Sequence, residues 1–271
     1  MIDSGSDNEV EALVKPRGMR YIQIDPGDFS HGDTRNKGVQ IADGHYIVFL
    51  TQDALPADNY WLQNLIEPME RDPKIVGVFS RQIPKEDTHP MEKYFLTNMY
   101  GENSKVNAKN GQTDLGFDDV FFSNVSSAIR RDVALAFPFN SSLVMSEDQD
   151  WSKRTISAGW KTAYAPDSIV IHSHQNSIIQ VFKRNFDSGA SLHHTFKKMP
   201  GGLSKQCKYF WGLIVYLLKK NEIQYLPLAL VYETVKALGF ALGWYERFLP
   251  AKFKVFFGFH REYWLKAANR R

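Results

Sequence analysis

The sequence predicts an α/β fold: a mostly parallel sheet flanked by helices, followed by a helical extension that is basic and aromatic. Three observations carry this. Short apolar runs alternate with amphipathic segments from residue 1 to about 175. One of them, Tyr46 to Leu50, is continuously β-branched and aromatic, as a strand covered on both faces of a parallel sheet reads. From Ile178 onward, helical periodicity dominates.

The first element, Ile2-Asp3, ends a strand that runs into the small-residue turn Ser4-Gly5-Ser6. Val10 to Val14 supplies a short helix, and Tyr21-Ile22-Gln23-Ile24 a second strand. The polar, glycine-bearing stretch Ser30 to Gly38 leads through a helix into Tyr46 to Leu50, which stops abruptly at Thr51-Gln52-Asp53. In open α/β sheets ligands sit beyond the carboxyl ends of the strands, so Asp53 is a candidate for substrate or metal. A polar strand terminus is the alternative.

Ala57 to Met69 reads as a helix, with Trp61, Leu62, Leu65 and Ile66 on one face, and Lys74 to Phe79 as a buried strand. Met91 to Met99 reads as a helix and Asn103 to Gln112 as a loop. Val120 to Ser123 is expected as a short strand, with a new element starting at Ser126. Ser146 to Trp151 opens a helix that Gly159 closes, and Thr162 to Ala165 and Ser168 to His172 are expected as two more strands. Farther on, Val231, Val235, Leu238, Leu242, Tyr245 and Leu249 mark one apolar stripe.

Composition narrows the function classes. A single cysteine, Cys207, excludes a disulfide framework or a multi-cysteine zinc site. No Walker-type glycine loop is present. The net charge of +3 conceals an asymmetry: residues 197 to 271 carry 14 Lys+Arg against 4 Asp+Glu, and 16 of the 37 aromatic residues. A basic, aromatic tail on an acidic body suits a membrane surface better than nucleic acid. Its longest continuous apolar runs, Tyr209 to Leu218 and Leu226 to Tyr232, fall short of the roughly 20 residues of a span, so the tail is expected to lie on a membrane.

Four polar constellations carry chemistry. Ile171-His172-Ser173-His174 ends a strand, and the strand period of two puts both imidazoles on the same face, as a shared metal or phosphate site needs; two surface histidines read the same. Glu147-Asp148 at a helix start either answers the helix dipole or supplies a general base. His31, Arg35 and Asn36 before a helix suit a diphosphate or a solvated loop. Lys183 and Arg184 form a charged helix face that proximity could turn to phosphate.

In this order the pieces resemble inverting family-2 glycosyltransferases of the GT-A fold, and among them bacterial rhamnosyltransferases of cell-surface polysaccharide (O-antigen) synthesis. The likeness rests on Ile2 to Ser6, FSHGDTRNKG (Phe29 to Gly38), FLTQDALP (Phe49 to Pro56), FFSNVSSAIRRD (Phe121 to Asp132), EDQDW (Glu147 to Trp151), VIHSH (Val170 to His174) and, more loosely, the basic end GWYERFLPAKFK. It implies a transferase domain over residues 1–175 and a helical membrane-surface region over 176–271. It further implies nucleotide-sugar contacts by Asp3, His31, Arg35, Asn36, Gln52, Asp53 and Arg184. Mg²⁺ or Mn²⁺ is implied on Asp53, His172 and His174, acceptor-side contacts by Asn124, Glu147 and Trp151, and Asp148 as general base.

The implied reaction transfers L-rhamnose from dTDP-L-rhamnose to a lipid-linked glycan at the cytoplasmic face of a bacterial membrane, with another nucleotide sugar or an inactive glycan-binding homologue as alternatives. Two departures are visible. Thr51 stands where the family's DxD motif has its first acid, and the family's first strand and helix, which precede the Asp3 segment, are expected to be missing. An open apolar sheet edge is the expected consequence.

Overall fold

The computed structural model describes all residues except Ser6, Asp7, Arg270 and Arg271, so Ser6 of the first motif lies outside the described residues. In chain order the elements are β1 (Ile2–Asp3), α1 (Asn8–Val14), β2 (Ile22–Gln23), α2 (His31–Ile41), β3 (Tyr46–Leu50), β4 (Leu55–Pro56), α3 (Trp61–Arg71), β5 (Ile75–Ile83), α4 (Pro90–Met99) and β6 (Lys105–Asn107). There follow α5 (Phe117–Val120), β7 (Ser126–Arg130), α6 (Arg131–Ala136), α7 (Glu147–Ser157), β8 (Lys161–Ile171), α8 (Ile178–Thr195), α9 (Leu203–Lys219), α10 (Leu226–Trp244), α11 (Ala251–Phe257) and α12 (Arg261–Asn269).

The α/β architecture is as expected, but the sheet is mixed rather than mostly parallel. Its six strands run β3-β7-β5-β8-β4, with β6 also on β8. Only β5 and β8 are parallel; the other pairings are antiparallel. Two causes are visible. The turn Thr51–Ala54 folds the chain back, so β4 runs against β8. The strand expected at Val120 to Ser123 is instead the end of α5 and an irregular segment, and β7 then enters antiparallel between β3 and β5. The two strands expected at 162–165 and 168–172 are one bulged strand, β8, which stops at Ile171.

β3 corrects the sequence reading most directly. It pairs with β7 alone among the described residues, and Val48 and Leu50 are 37% and 42% exposed. β1 and β2 form a separate two-stranded parallel sheet, and neither pairs with β3. The covered strands are the central ones, where Val76, Val78, Ala128 and Ile129 are buried.

Behind the sheet, α10 packs along α8 so closely that a Cβ on Gly243 would meet the Phe186 carbonyl oxygen at 1.9 Å. The buried face of α10 is Ala229, Tyr232, Gly239, Gly243 and Trp244. The apolar stripe read from the sequence is split: Val231, Leu238 and Tyr245 are exposed, while Val235, Leu242 and Leu249 are half-buried and packed against the core. Ile223–Trp244 is 22 residues long with a mean hydropathy of 1.3, long and apolar enough to cross a membrane, which the shorter continuous runs in the sequence did not reveal.

Candidate active site

Three structural hinges converge at the carboxyl end of β3. The Thr51 amide donates to the Val125 carbonyl (3.0 Å) and so fixes the turn that carries Asp53. One residue earlier, the Asn124 amide donates to Asp148 Oδ2 at 3.1 Å. Gln149 brackets Phe122, donating to its carbonyl and accepting from its amide at 3.3 Å. The 122–125 segment thus joins the Asp53 turn to the start of α7. Ser146, just before that helix, holds a left-handed backbone (φ 60°), a strained conformation where the chain aims Glu147 and Asp148.

Asp53, His172 and His174 lie together, their ligating atoms all within 4.8 Å of one another. Asp53 Oδ2 is 3.4 Å from His172 Nε2 and 3.6 Å from His174 Nδ1. Ligands about 2.1 Å from an octahedral cation stand about 3 Å apart, so the cluster fits a divalent ion after small adjustment. Burial pushes the Asp53 carboxyl up, but His172, the Thr51 hydroxyl and His174 outweigh it and hold the group below its ordinary value. Burial lowers both imidazoles, His174 to about 4 with help from Arg184 and His172.

Hydrogen-bond roles separate the two histidines. His172 Nδ1 is 2.8 Å from the carbonyl oxygen of the buried Gln82 side chain, an acceptor, so Nδ1 carries the proton and Nε2 turns its lone pair to Asp53. A lone pair facing a carboxylate is repulsive unless a cation lies between them. His174 Nε2 is 3.4 Å from Arg184 Nη2, which can only donate, so its Nδ1–H faces Asp53 for as long as that contact holds. His172 is thus the preoriented ligand, and His174 joins only when Arg184 turns away.

Asp148 is half-buried, and burial pushes its carboxyl up to about 7, reinforced by the neighbouring Glu147 carboxylate and opposed by Arg35 and the amides of Asn124 and Gln149. A carboxyl titrating near neutrality is poised for proton transfer. Glu147 is buried and ion-paired with Arg35 on α2, so it braces α7 against α2 rather than facing an acceptor. Trp151 is also no acceptor contact. It is fully buried between Phe122 and Phe139, with ring centroids at 5.3 and 5.9 Å, because the third helical position after Asp148 points into the core.

The other expected residues divide likewise. Asn36 spends both ends of its amide on the Phe139 backbone (2.8 and 2.9 Å), a brace rather than an open phosphate ligand. Asp3 is buried on β1 and accepts from Tyr21 Oη at 2.7 Å. Burial drives His31 down to about 4, and its Nε2 lies 3.3 Å from His260 Nε2, itself held by the fully buried Asp187. Gln52 is exposed on the turn, and Asn124 serves mainly through its backbone. Sequence reasoning missed Gln82 and His260. The first closes a polar run, Ser80-Arg81-Gln82, at the end of an otherwise apolar strand, a signal the sequence did carry; the second has none outside the fold.

A family model described as "Glycosyl transferase family 2" matches residues 1–136. The chain is 33% identical over 271 residues to the O-antigen chain rhamnosyltransferase RfbN of Salmonella typhimurium, covering 97% of this chain and 85% of that protein. It is 31% identical to the O-antigen chain rhamnosyltransferase WbaN of Salmonella anatum, with the same coverage. Among solved structures it resembles the mannosyltransferase PcManGT of Pyrobaculum calidifontis, in complex with GDP-Man and Mn²⁺, with a TM-score of 0.54 at 14% identity over 99% of this chain and 75% of that one. That last likeness establishes a GT-A-like fold, and the sequence matches establish the rest: the chain belongs to glycosyl transferase family 2 and is a glycosyltransferase.

Proposed function

We propose that the chain transfers L-rhamnose from dTDP-L-rhamnose to a hydroxyl of a lipid-linked glycan, with inversion at the anomeric carbon. The observation that carries the reading is the pinning of the Asp53 turn and Asp148 to one segment, 122–125, which supports a cation site and a base served by the same stretch of chain. The names of the O-antigen relatives support rhamnose as the sugar.

Asp53 and His172 would hold Mg²⁺ or Mn²⁺, with His174 as a third ligand; bound there, the ion neutralises charge on the departing diphosphate. Gln82 keeps the His172 proton on Nδ1. Arg184, released from His174, is a donor for a phosphate oxygen. Asp148, deprotonated, takes the proton from the attacking acceptor hydroxyl, while the Arg35–Glu147 pair fixes the helix start from which it acts.

The exposed aromatic and basic residues of the tail support a peripheral position on an anionic membrane surface, which this reading puts at the cytoplasmic face. Phe248 and Phe256 are each 68% exposed, and Arg247, Lys252 and Lys183 stand over the rings of Phe248, Phe253 and Phe256. The direct test is a panel of nucleotide sugars offered with Mg²⁺ or Mn²⁺ and an isolated lipid-linked acceptor. Preferential turnover of dTDP-L-rhamnose is expected; preference for a different nucleotide sugar refutes the donor assignment.

A further inference from the structure

Asp187 is a fully buried carboxylate within α8 that the chemistry above leaves unused. Its partners come from the turn between α11 and α12 and the helix that follows. Oδ2 accepts from the amides of Phe259 (3.0 Å) and His260 (2.9 Å), and Oδ1 from Trp264 Nε1 at 2.8 Å. Those three donors are enough to satisfy a buried carboxylate and anchor the turn. A fourth contact does more: His260 Nδ1, 2.9 Å from Oδ2, orients the imidazole so that its Nε2 meets His31 Nε2, at the start of α2, at 3.3 Å.

The same segment fastens the elements that carry the site. Tyr263 Oη donates to the Ser142 carbonyl, ahead of α7, at 2.8 Å, and Lys266 donates to the Gly27 carbonyl, ahead of α2. The Arg184 guanidinium lies over the Phe259 ring, 5.5 Å from its centroid, while it also contacts His174. A turn that only needed anchoring would not have to aim one imidazole at another.

The hydrogens along this line can be counted. The Asp187 carboxylate accepts, so His260 Nδ1 carries a hydrogen, and a neutral His260 ring turns a lone pair from Nε2 toward His31. Two lone pairs at 3.3 Å repel, which puts the one hydrogen between the rings on His31 Nε2. Burial lowers His31 to about 4 and keeps it neutral, so it has no second hydrogen. Its Nδ1 is left as an acceptor, without a hydrogen-bond partner among the described residues. Arg35, Glu147 and Arg184 are its charged neighbours, so this acceptor belongs to the same centre. An acceptor takes a hydroxyl; it has nothing to offer a diphosphate, which also only accepts.

We infer that Asp187 and His260 form a relay that fixes His31 as its Nε2–H tautomer and so sets His31 Nδ1 to accept from a hydroxyl of the nucleotide sugar. His260 is thus a positioning residue, supplied to the site by the C-terminal turn. The inference rests on the glycosyl-transfer reading above.

Long-range ¹⁵N–¹H NMR of the full chain, labelled in histidine, reads the tautomer at pH 8, where a free imidazole is neutral. Loss of signals in His31→Gln assigns them. The wild type is expected to show the hydrogen of His31 on Nε2. His260→Asn can still reach Asp187 with its amide but has no atom at the Nε2 position, so the His31 signals should move toward a tautomer average; His260→Gln, whose side-chain oxygen extends toward that position, should restore them. In transfer assays His260→Asn should raise the KM for dTDP-L-rhamnose about tenfold, with the acceptor KM and inhibition by pyrophosphate unchanged, and His260→Gln should recover most of the loss. Inhibition by dTDP then locates the hydroxyl: a matching loss puts it on the pentose, no loss on the transferred sugar, and either supports the inference.

A hydrogen on His31 Nδ1 in the wild type overturns the relay, and that measurement needs no variant to fold. Unchanged His31 signals in a folded His260→Asn overturn it too, as does a loss shared equally by donor and acceptor KM. If the tautomers are as expected but dTDP-L-rhamnose is not turned over, the relay stands and the rhamnosyl reading fails. If dTDP-L-rhamnose is turned over and His31 carries its hydrogen on Nδ1, the reverse holds.

Discussion

Gln82 decides which nitrogen of His172 carries the proton. Its side-chain carbonyl, 2.8 Å from His172 Nδ1, forces the proton there and leaves the Nε2 lone pair 3.4 Å from the Asp53 carboxylate. Gln82 Nε2 donates to Tyr100 Oη and, at 3.0 Å, to Ser123 Oγ, which holds the side chain in place beside the histidine. Replacing it with leucine leaves the histidine without an orienting acceptor. Mn²⁺ affinity, read by electron paramagnetic resonance, is expected to fall about 10- to 100-fold. Asp53→Asn should fall further, since it removes the cluster's one carboxylate. Unchanged Mn²⁺ binding in Gln82→Leu would refute the orienting role.

Asp148 links rate and stability to pH in opposite senses. As base it must be deprotonated, so transfer is expected to fall about tenfold per pH unit below its raised value of about 7. Folding runs the other way. The folded carboxyl holds its proton above the value of the unfolded chain, so between about pH 4 and 7 the native state binds more protons and stability declines as pH rises. Asp148→Asn should therefore lower the turnover rate by about 10² to 10⁴ and yet resist urea better than wild type at pH 8. Full activity in Asp148→Asn would sink the base assignment.

Trp151 separates a core role from an acceptor role. A Cβ on Gly77 would stand 2.9 Å from its ring, so the indole fills the space that glycine leaves beneath the sheet. Trp151→Ala is expected to cost about 3–5 kcal/mol of stability. The milder Trp151→Phe should lower stability while the acceptor KM stays put. A raised acceptor KM at unchanged stability would restore the acceptor role.

Much of this site was legible because strand ends are marked by abrupt changes of polarity. Tyr46 to Leu50 gives way to Asp53, and Ile171 to His172, and both ends do meet. The period-of-two argument for His172 and His174 gave the right pairing, although β8 ends before either residue. What was hidden depended on neighbours far away in the chain. β3 reads as a covered strand because its composition is apolar, yet coverage is a property of what packs on it. Glu147 and Trp151 share a motif with Asp148, and only the helix phase shows that one turns to Arg35 and the other to the core. The stripe over α10 and the turn after it was only partly legible: Val235, Leu242 and Leu249 do pack on the core, but Gly239 and Gly243, which carry no apolar signal, share the buried side while Val231 and Leu238 face out.

That division of α10 shapes the last test. Removing residues 200–271 would strip α10 from α8 and His260 from His31, so loss of membrane binding in such a chain would not be specific. Substitution of exposed rings is cleaner. Phe248→Ser and Phe256→Ser change side chains that are mostly in solvent, so stability should hold. If these rings enter the headgroup layer, each loss should weaken binding to vesicles of anionic phospholipid by about tenfold. The basic residues beside them predict a second signature: binding weakens as salt rises, because attraction between exposed Lys or Arg and anionic lipid is screened. Sedimentation with vesicles at low and high salt measures both effects. A double variant that still sediments like wild type would move the membrane contact elsewhere, to the face bearing Val231 and Leu238, where Leu238→Ser is the next variant to measure.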